Sequence, residues 1–599
     1  MLRVATFVLV ICGISYFLFT DFRAGWISST TDFPNYYTAA RLVRSGEHLR
    51  NFYDWTWFQR QMNYAGIERQ LGAYFPQPPL TMLPMLPIAG FPAQTAKRIW
   101  LICNLVFLGS TAWLLSKLGR LQIQHIALLI LAGYTSLRRN FLLGQYYVFL
   151  LFLLTVTFYL IARKKPIASG IIAGVAFALK LYSGPLLLYF VAKRNWKAAA
   201  AMVGATGVAA ALAVAIFGWA DVWFYATQIF PRTLEGVAAD PYNPGVQVPS
   251  TLLRRLFLAD PELNPQPLHN APWLLFFLQP LISVTIIAFV SLAVALNRGG
   301  SCHRDFAMFT VALLLISTSG ASYTYLLLLL PIVLLLEQAG IRESLYLAAS
   351  YVVLNASLPA ARLFPKVWLL FLLLIVVSQH YWSVLSPRLV AGTLGVIALL
   401  SALKAQHSTN DYRSAPDKRN QLVAVEKGSL FVGFPAISRA GLFCQVQMRD
   451  RYILRWLHDG AVEDFSFEGQ AFHPTAPDPA GPIYFELVAH AASSMMEFDP
   501  STRKSIAVSL PVKIHRSDSA MSPDGRKVAF TSSAEGSRQI FIKNLATGEV
   551  KRLTGGNCNN SDPAWELNGK AIVFASDCGR VVGLPALYRV DVDTARFRR

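Results

Sequence analysis

Residues 143–165 read LGQYYVFLLFLLTVTFYLIARKK, an apolar run that ends in three consecutive basic residues. A helix needs about 20 apolar residues to span a bilayer, and the run 143–162 has that length. Clusters of Lys and Arg between such runs are the pattern that sets the orientation of membrane proteins. This stretch therefore predicts a transmembrane helix.

Similar apolar runs recur along the chain up to Lys404 and then stop. Hydrophobic residues make up 54% of the 599 positions and charged residues only 15%, which is too apolar for a soluble protein of this length. We predict a polytopic α-helical membrane domain over 1–404, with about 11–13 spanning helices. The net charge of +20 comes largely from basic clusters between apolar runs, so we predict no nucleic-acid partner.

The basic loops predict the orientation of the chain. Loops at 298–304, Arg342 and Arg388 fall on one side of the predicted crossings, which marks that side as cytoplasmic. The first apolar run is followed by no small-residue cleavage site, so we interpret it as a retained helix. The same count places 219–272 and everything after Lys404 outside. We predict a multi-pass protein of the inner (plasma) membrane with its C-terminal domain outside the cytoplasm.

One apolar segment, 167–192, is interrupted at its centre. Lys180 is followed by Tyr182-Ser183-Gly184-Pro185, and basic clusters flank both ends of the segment. Irregular backbone at membrane depth is tolerated only where protein or a water-filled cavity surrounds it. We therefore predict a broken helix whose lysine faces a cavity, although the lysine could also snorkel to an interface or neutralise a buried acid.

The chain after Lys404 has the composition of a soluble protein. A polar linker is predicted over 405–420 and an all-β domain over 421–599, because short alternating strands there are bounded by turn residues. The clearest unit, Ser519 to Thr554, is repeated once towards the C-terminus, and a repeat of about 40 residues indicates propeller blades. We expect about four blades, a small number for a closed ring.

Two short sequence features of this domain are a predicted turn and a pair of cysteines. Ser522-Pro523-Asp524-Gly525 resembles the hairpin turn of TolB-type propeller repeats and is interpreted as structural. Cys558 and Cys578 flank the strand pair of the last blade. A disulfide between them is one prediction for a domain outside the cytoplasm, and two free thiols are the alternative.

The first outer loop begins with an acid, Asp32, followed by an amphipathic stretch from Ala39 to Leu49. Several short motifs follow this acid in a fixed order. They are Tyr36-Tyr37 with Ala39-Ala40, Pro78-Pro79-Leu80, Leu86-Pro87, Gly144-Gln145, and Ala178-Leu179-Lys180-Leu181-Tyr182 before Pro185. In their order and spacing, residues 1–400 resemble the polytopic glycosyltransferases of the GT-C superfamily, most closely family 87, which uses a polyprenyl-phosphate-linked hexose, typically mannose.

The resemblance implies roles for particular residues. In these enzymes the acid of the first outer loop is the general base, which here is Asp32; as an alternative, it could be a helix N-cap. Lys180 with Tyr182, Gln145, Arg254 and Arg255 are the candidates for binding the donor phosphate, since cationic and hydrogen-bonding groups stabilise a departing phosphate. Gln145 could equally serve helix packing, and the arginines could be surface charges. Transfer would be inverting. The first outer loop has no Asp-x-Asp triplet, so neither a metal nor a cofactor is predicted.

One departure from the family pattern concerns a turn between two late helices. Many members carry a histidine there, whereas this turn reads Ser319-Gly320-Ala321-Ser322-Tyr323-Thr324-Tyr325. Donor sugar and acceptor could therefore differ from those of relatives. The predicted partners are a polyprenyl-phosphate-linked sugar, membrane lipid, and a glycan, glycolipid or protein acceptor. A flippase for lipid-linked sugars, and a sensor whose propeller is the functional part, are the alternatives.

Overall fold

The computed structural model of the chain consists of two units. One unit comprises residues 1–33 and 76–419, and the other comprises residues 34–75 and 420–599. The structure describes residues 2–28, 32–53, 55–67, 72–236, 241–259, 263–297, 300–318, 320–358, 361–413, 431–448, 451–489, 492–508, 516–532, 538–555, 560–576, 586–594 and 597–598. Cys558 and Cys578 lie outside these ranges, so the disulfide stays a prediction.

The first unit is helical, and further helices lie between Asp32 and Tyr64. In chain order the helices are α1 (Leu2–Phe17), α2 (Arg23–Ile27), α3 (Asp32–Arg44), α4 (Leu49–Phe52), α5 (Trp55–Tyr64), α6 (Ala93–Ser116), α7 (Ile123–Ala132), α8 (Tyr134–Leu143), α9 (Tyr147–Ala162), α10 (Pro166–Leu179), α11 (Leu186–Ala192), α12 (Trp196–Phe217), α13 (Trp219–Phe224), α14 (Phe230–Leu234), α15 (Pro249–Phe257), α16 (Pro272–Leu296), α17 (Cys302–Ile316), α18 (Leu329–Leu336), α19 (Ile341–Asn355), α20 (Pro365–Ser378) and α21 (Pro387–Arg413). Helix α21 continues into the segment predicted as a linker.

Several of these helices are long and apolar enough to cross a membrane. Within the described part of the chain there are six, Thr6–Ile27, Ala93–Ser116, Trp196–Phe217, Pro272–Leu296, Pro365–Val384 and Pro387–Ser408. The pair α7 and α8, bent by 77°, would make a seventh, and four shorter apolar helices accompany them. The predicted polytopic membrane domain is confirmed. The predicted number of 11–13 crossings stays a prediction, because length and composition alone identify fewer.

Close helix packing positions the broken segment. Gly170 and Gly174 lie one turn apart on α10, and a Cβ added at Gly174 would lie 2.7 Å from the carbonyl oxygen of Met202 on α12. Small residues at this spacing let two helix backbones approach closely, which is how helices associate in a bilayer. Helix α10 is therefore fixed against α12 immediately before the point at which it breaks.

The predicted break is present at Lys180. Helix α10 ends at Leu179, Lys180 is extended with φ −157° and ψ 115°, and a 3₁₀ turn over Leu181–Ser183 leads to α11. The hydroxyl of Thr81 donates to the Leu179 carbonyl at 2.7 Å and that of Ser183 to the Ala173 carbonyl at 3.0 Å. The Thr81 bond satisfies a carbonyl that has lost its helical partner at the break, and the Ser183 bond ties the 3₁₀ turn back to α10.

The C-terminal part of the second unit is a four-blade propeller, which confirms the predicted fold. Its strands are β1 (Phe431–Ser438), β2 (Gly441–Gln447), β3 (Tyr452–His458), β4 (Ala461–Phe465), β5 (Gln470–Thr475), β6 (Ile483–Ala489), β7 (Ala492–Asp499), β8 (Lys504–Ala507), β9 (Arg516–Met521), β10 (Lys527–Ser532), β11 (Gln539–Asn544), β12 (Val550–Arg552), β13 (Asn560–Trp565), β14 (Ala571–Ser576), β15 (Ala586–Asp591) and β16 (Phe597–Arg598). Each consecutive group of four strands forms one antiparallel sheet. The Ser522–Gly525 turn precedes β10, with Gly525 at φ 67°.

The first strands of three blades share an irregularity. Strands β1, β5 and β13 each carry a bulge, at which Phe434, His473 and Asp562 have φ between 49° and 55°. The rings of Phe434 and His473 are 3.9 Å apart, and His473 Nε2 lies 3.4 Å from Asp562 Oδ1. Because β5 and β13 belong to the second and fourth blades, side chains of opposite blades meet between the sheets.

Candidate active site

Asp32 is the first residue of α3 and contacts the loop that follows α8. Gly144 ends α8 in the left-handed conformation with φ 66°, and a Cβ there would lie 2.7 Å from Cβ of Phe33. Glycine therefore allows the backbone to approach the residue next to the acid. The buried side chain of Gln145 hydrogen-bonds to the Asp32 carboxylate. The structure thus brings together two of the predicted site residues.

Lys180 lies within electrostatic reach of Asp32. Its side chain is almost fully buried, with the residue 8% exposed. Its Nζ donates to Oε1 of Gln77 at 3.0 Å and lies 5.1 Å from the centre of the Tyr147 ring. The hydroxyls of Tyr147 and Tyr182 are 3.4 Å apart, so the predicted Tyr182 belongs to the same cluster. The extended backbone at Lys180 directs the ammonium group away from the helix axis towards these side chains.

A cavity of about 460 Å³ lies beside this cluster in the membrane domain. Lys180 and Tyr182 line it together with Arg254, Lys404 and the acid Glu235. Much of the remaining wall is apolar, formed by Phe177, Phe230, Phe276, Val284, Ile287, Leu313 and Ile316. A space with cations at one part of its wall and hydrocarbon at another matches the chemistry of a lipid phosphate.

The two predicted arginines lie side by side in sequence but differ in environment. Arg254 is 8% exposed and lines the cavity, donates from Nη2 to the Glu235 carbonyl at 2.6 Å, and has no hydrogen-bond partner for Nε among the described residues. Arg255 donates from Nη1 to the Tyr242 carbonyl at 2.9 Å and does not line the cavity. Of the pair, only Arg254 has the position that phosphate contact requires.

The environment of Asp32 changes the proton affinity of its carboxyl group. Burial raises the pKa of this carboxyl above the ordinary value of 3.8, while the hydrogen bond from Gln145 and the positive charges of Lys180 and Lys97 oppose this shift. In its deprotonated form, a carboxylate of raised pKa is a better proton acceptor than a fully solvated one.

Lys97 is a residue of this cluster that sequence analysis missed. It is fully buried on α6, and its Nζ donates to the carbonyls of Ser28 and Leu142, each at 2.8 Å. These carbonyls belong to the two segments that bear Asp32 and Gln145. The signal was present in the sequence, because Lys97 precedes the apolar run predicted from residue 99, but a lysine at a helix end usually reaches the interface.

The turn that lacks the family's histidine carries tyrosines at this site. A 3₁₀ helix spans Ser322–Leu328, and the Tyr323 side chain hydrogen-bonds to Gln145. The rings of Tyr323 and Tyr147 lie 5.2 Å apart. Tyr323 therefore contacts both the residue that binds Asp32 and the ring beneath Lys180.

Comparison with known proteins gives matches for both parts of the chain. Residues 75–318 match the sequence model of glycosyltransferase family 87. The expected resemblance is confirmed for that range, which contains Lys97, Gln145, Lys180 and Arg254; Asp32 precedes it. Residues 489–599 match the TolB beta propeller domain.

A curated relative of this chain comes from Mycobacterium tuberculosis. It is the polyprenol-phosphate-mannose-dependent alpha-(1-2)-phosphatidylinositol mannoside mannosyltransferase, 30% identical over 205 residues. The match covers 31% of this chain and 47% of the relative, so the chain spans about half of the relative's length.

Solved structures similar to this chain include two TolB proteins. The putative TolB of Agrobacterium tumefaciens is 15% identical, with coverage of 29% of this chain and 67% of that chain at a TM-score of 0.25. TolB of Acinetobacter baumannii is 20% identical, with coverage of 34% and 47% at a TM-score of 0.20.

Proposed function

We propose that this protein is a membrane glycosyltransferase that moves a hexose from a polyprenyl phosphate to an acceptor on the outer face of the membrane. The observation that carries the proposal is the carboxylate of Asp32 within electrostatic reach of Lys180, which lines an apolar cavity with Arg254. The family 87 match and the mannosyltransferase relative support the reaction class, and mannose is the expected hexose.

The reaction is a direct displacement at the anomeric carbon. The acceptor hydroxyl oxygen attacks this carbon, its proton passes to Asp32, and the bond from the carbon to the phosphate oxygen breaks with inversion. The leaving polyprenyl phosphate gains one negative charge. Lys180 and Arg254 offset this charge as it develops, which is stabilisation of the transition state rather than of the bound donor alone.

The cavity gives each part of the donor a suitable environment. Phosphate oxygens accept hydrogen bonds from Arg254 Nε, which has no partner among the described residues, and from Lys180. The prenyl chain packs on the aromatic and aliphatic wall. The propeller, outside the cytoplasm on the predicted orientation, holds the acceptor or a protein partner near the site.

The test is transfer of radiolabelled hexose from synthetic polyprenyl-phosphate donors, with wild type and Asp32→Asn purified at equal yield. We expect the variant to lose about 10²–10⁴-fold in rate, the usual contribution of a general base. The matched control is Asp21→Asn, because Asp21 is also a buried acid near the outer end of the first helix but binds Arg138 at 2.8 Å.

The control variant should keep most of the transfer rate. A wild-type protein that transfers hexose from no polyprenyl-phosphate donor would reject the enzyme assignment and favour transport. Equal loss in both variants would reject the base assignment for Asp32.

A further inference from the structure

A second group of cations lies in the membrane domain outside the cavity. Lys366 is the second residue of α20 and is 6% exposed. Its Nζ lies 4.5 Å from the centre of the Tyr325 ring. Its charged neighbour is the exposed guanidinium of Arg139 on α8. Within the described residues, neither an acid nor a hydrogen-bond acceptor contacts the Lys366 ammonium group.

This arrangement of charges is unfavourable without an anion. The N-terminus of a helix carries a partial positive charge, so a lysine there is repelled by α20 itself. Arg139 adds a second repulsion, and burial removes most of the water that would solvate the ammonium group. A bound anion would offset all three effects, and Arg139 leaves the pair accessible from solvent.

Neutral contacts hold Lys366 in place. The amide of Gln247 donates from Nε2 to the Ala361 carbonyl at 2.7 Å, and its Oε1 accepts from the Lys366 N–H at 3.4 Å. The Tyr325 hydroxyl donates to the Gln247 carbonyl at 3.0 Å. The backbone N–H of Lys366 is thus already used, and the side chain is the group that can bind a ligand.

This cation pair is linked to the candidate active site. Ser136 and Asn140 on α8 donate to the carbonyls of Ser322 and Tyr323 at 2.6 and 3.0 Å, which fixes the tyrosine turn against the helix that carries Arg139. The Tyr323 side chain lies within electrostatic reach of both Arg139 and Asp32. Lys180 contacts the ring of Tyr147, which lies 5.2 Å from the ring of Tyr323.

We propose that Lys366 and Arg139 form a second anion site, which binds a phosphate-type headgroup of the acceptor. The anion-binding part rests on the burial and contacts of Lys366, whereas the assignment to the acceptor rests on the proposed function. Two separate cation sites then divide the substrates, with the donor phosphate at Lys180 and the acceptor anion at Lys366. The acceptor is accordingly an anionic membrane lipid or lipid-linked glycan rather than a neutral sugar chain.

Binding is measured by calorimetry on the full-length protein in a neutral detergent. The probes are dioctanoyl phosphatidic acid, neutral dioctanoylglycerol and inorganic phosphate. Because phosphatidic acid also suits the donor cavity, each probe is measured in the Lys180→Met background, with Lys366 intact or changed to Met or Arg. We expect phosphatidic acid to bind Lys180→Met and Lys180→Met/Lys366→Arg, and to bind Lys180→Met/Lys366→Met about tenfold or more weakly, because a hydrogen bond to a charged group is lost. Dioctanoylglycerol should not bind.

The outcomes separate the sources of the anion. Phosphatidic acid binding that depends on Lys366 identifies a lipid headgroup, and inorganic phosphate binding alone with the same dependence identifies a free phosphate. Equal binding to Lys180→Met and Lys180→Met/Lys366→Met, or no binding of either anion to Lys180→Met, would overturn the site. Unliganded Lys366→Met should melt no lower than wild type, since a repelled charge is removed.

Kinetics then separate this site from the proposed function. With a polyprenyl-phosphate donor and a phospholipid-linked acceptor, Lys366→Met should raise KM for the acceptor about tenfold and leave KM for the donor unchanged. If Lys366-dependent anion binding is seen but no transfer occurs with any donor, the anion site stands and the enzyme assignment fails. If transfer occurs and KM for the acceptor is unchanged, the acceptor assignment fails.

Discussion

Charged side chains in the propeller and in the candidate active site are arranged in opposite ways. In the propeller, Arg455 makes two hydrogen bonds to Asp464 at 2.6 and 2.8 Å, and Arg589 makes two to Glu566 at 2.6 and 3.0 Å. In the membrane domain, Lys180 and Arg254 donate to an amide oxygen and a main-chain carbonyl. A cation neutralised within the chain serves folding, whereas a buried cation held by neutral groups keeps its attraction for an external anion.

The membrane domain also contains a cation that is neutralised by an acid of the chain. The two kinds of cation can therefore be compared within one unit. Lys193 forms a 2.6 Å ion pair with the fully buried Asp305, which also accepts from the Tyr381 hydroxyl at 2.6 Å. Lys193 and Lys180 lie on either side of α11 in the sequence, and a described partner of Lys180 is the neutral amide oxygen of Gln77.

The largest expected effect is on stability, from Lys193→Met. This variant leaves the Asp305 carboxylate buried with a hydroxyl as its described partner, which should cost about 3 kcal/mol or more. The measurement is unfolding of the purified protein in mixed detergent micelles. Adding Asp305→Asn to the variant should recover part of the loss, and unchanged stability in the single variant would contradict the neutralised role of Lys193.

The second effect concerns donor binding, from Lys180→Met. KM for the polyprenyl-phosphate donor should rise about 10- to 100-fold, because the donor phosphate loses a charged hydrogen-bond donor. Stability should fall less than in Lys193→Met, since Lys180 donates a hydrogen bond to the neutral amide of Gln77. Lys180→Arg should retain most of the affinity. Lys117→Met, at an exposed lysine on the same unit, is the control. A loss of stability with unchanged KM for the donor would show that Lys180, like Lys193, serves folding rather than donor binding.

The third effect is a pH shift caused by Lys97→Met. The positive charge of Lys97 lowers the pKa of Asp32, so removing it raises that pKa further. A general base acts in its deprotonated form, so the rise of kcat/KM with pH should move to higher pH. Lys97→Arg should restore the wild-type profile in part. An unshifted profile with a reduced rate would indicate that Lys97 only holds the two backbone segments together.

The smallest effect is expected in the propeller, from Glu463→Gln. Hydrogen bonds from Arg503 lower the pKa of Glu463 to about 2. This depressed pKa contributes stability above the unfolded value of 4.5, and the contribution is lost as pH falls towards 2. Hydrogen exchange of peptides from β3 and β4 in the full chain should lose this acid dependence in the variant. The same dependence in wild type and variant would assign it to another group.

The fold was more predictable than the site. The fold depends on local sequence patterns, whereas the site depends on contacts between residues that are far apart in the sequence. Apolar length fixes the spanning helices, and Lys180 beside Gly184-Pro185 inside an apolar run predicted the break, since no straight helix accommodates them. Blade turns follow from local chemistry such as Ser522–Gly525. Arg254 and Arg255 could not be separated by sequence, because neighbouring residues point about 100° apart on a helix and tertiary packing decides which one faces the cavity. Lys366 and Arg139 are far apart in sequence and meet only through the tyrosine turn.

The small ring of the propeller limits how this domain can meet other molecules. Side chains from its second and fourth blades, His473 and Asp562, touch one another, and Phe434 covers the histidine ring. Larger propellers often bind ligands in a central tunnel. Here that space is filled by the protein's own residues, so contacts with a glycan or a protein are directed to the loops on the two faces and to the outer strands. Outer strands can pair with an extended chain through their backbone groups, which favours an extended partner over a compact small molecule.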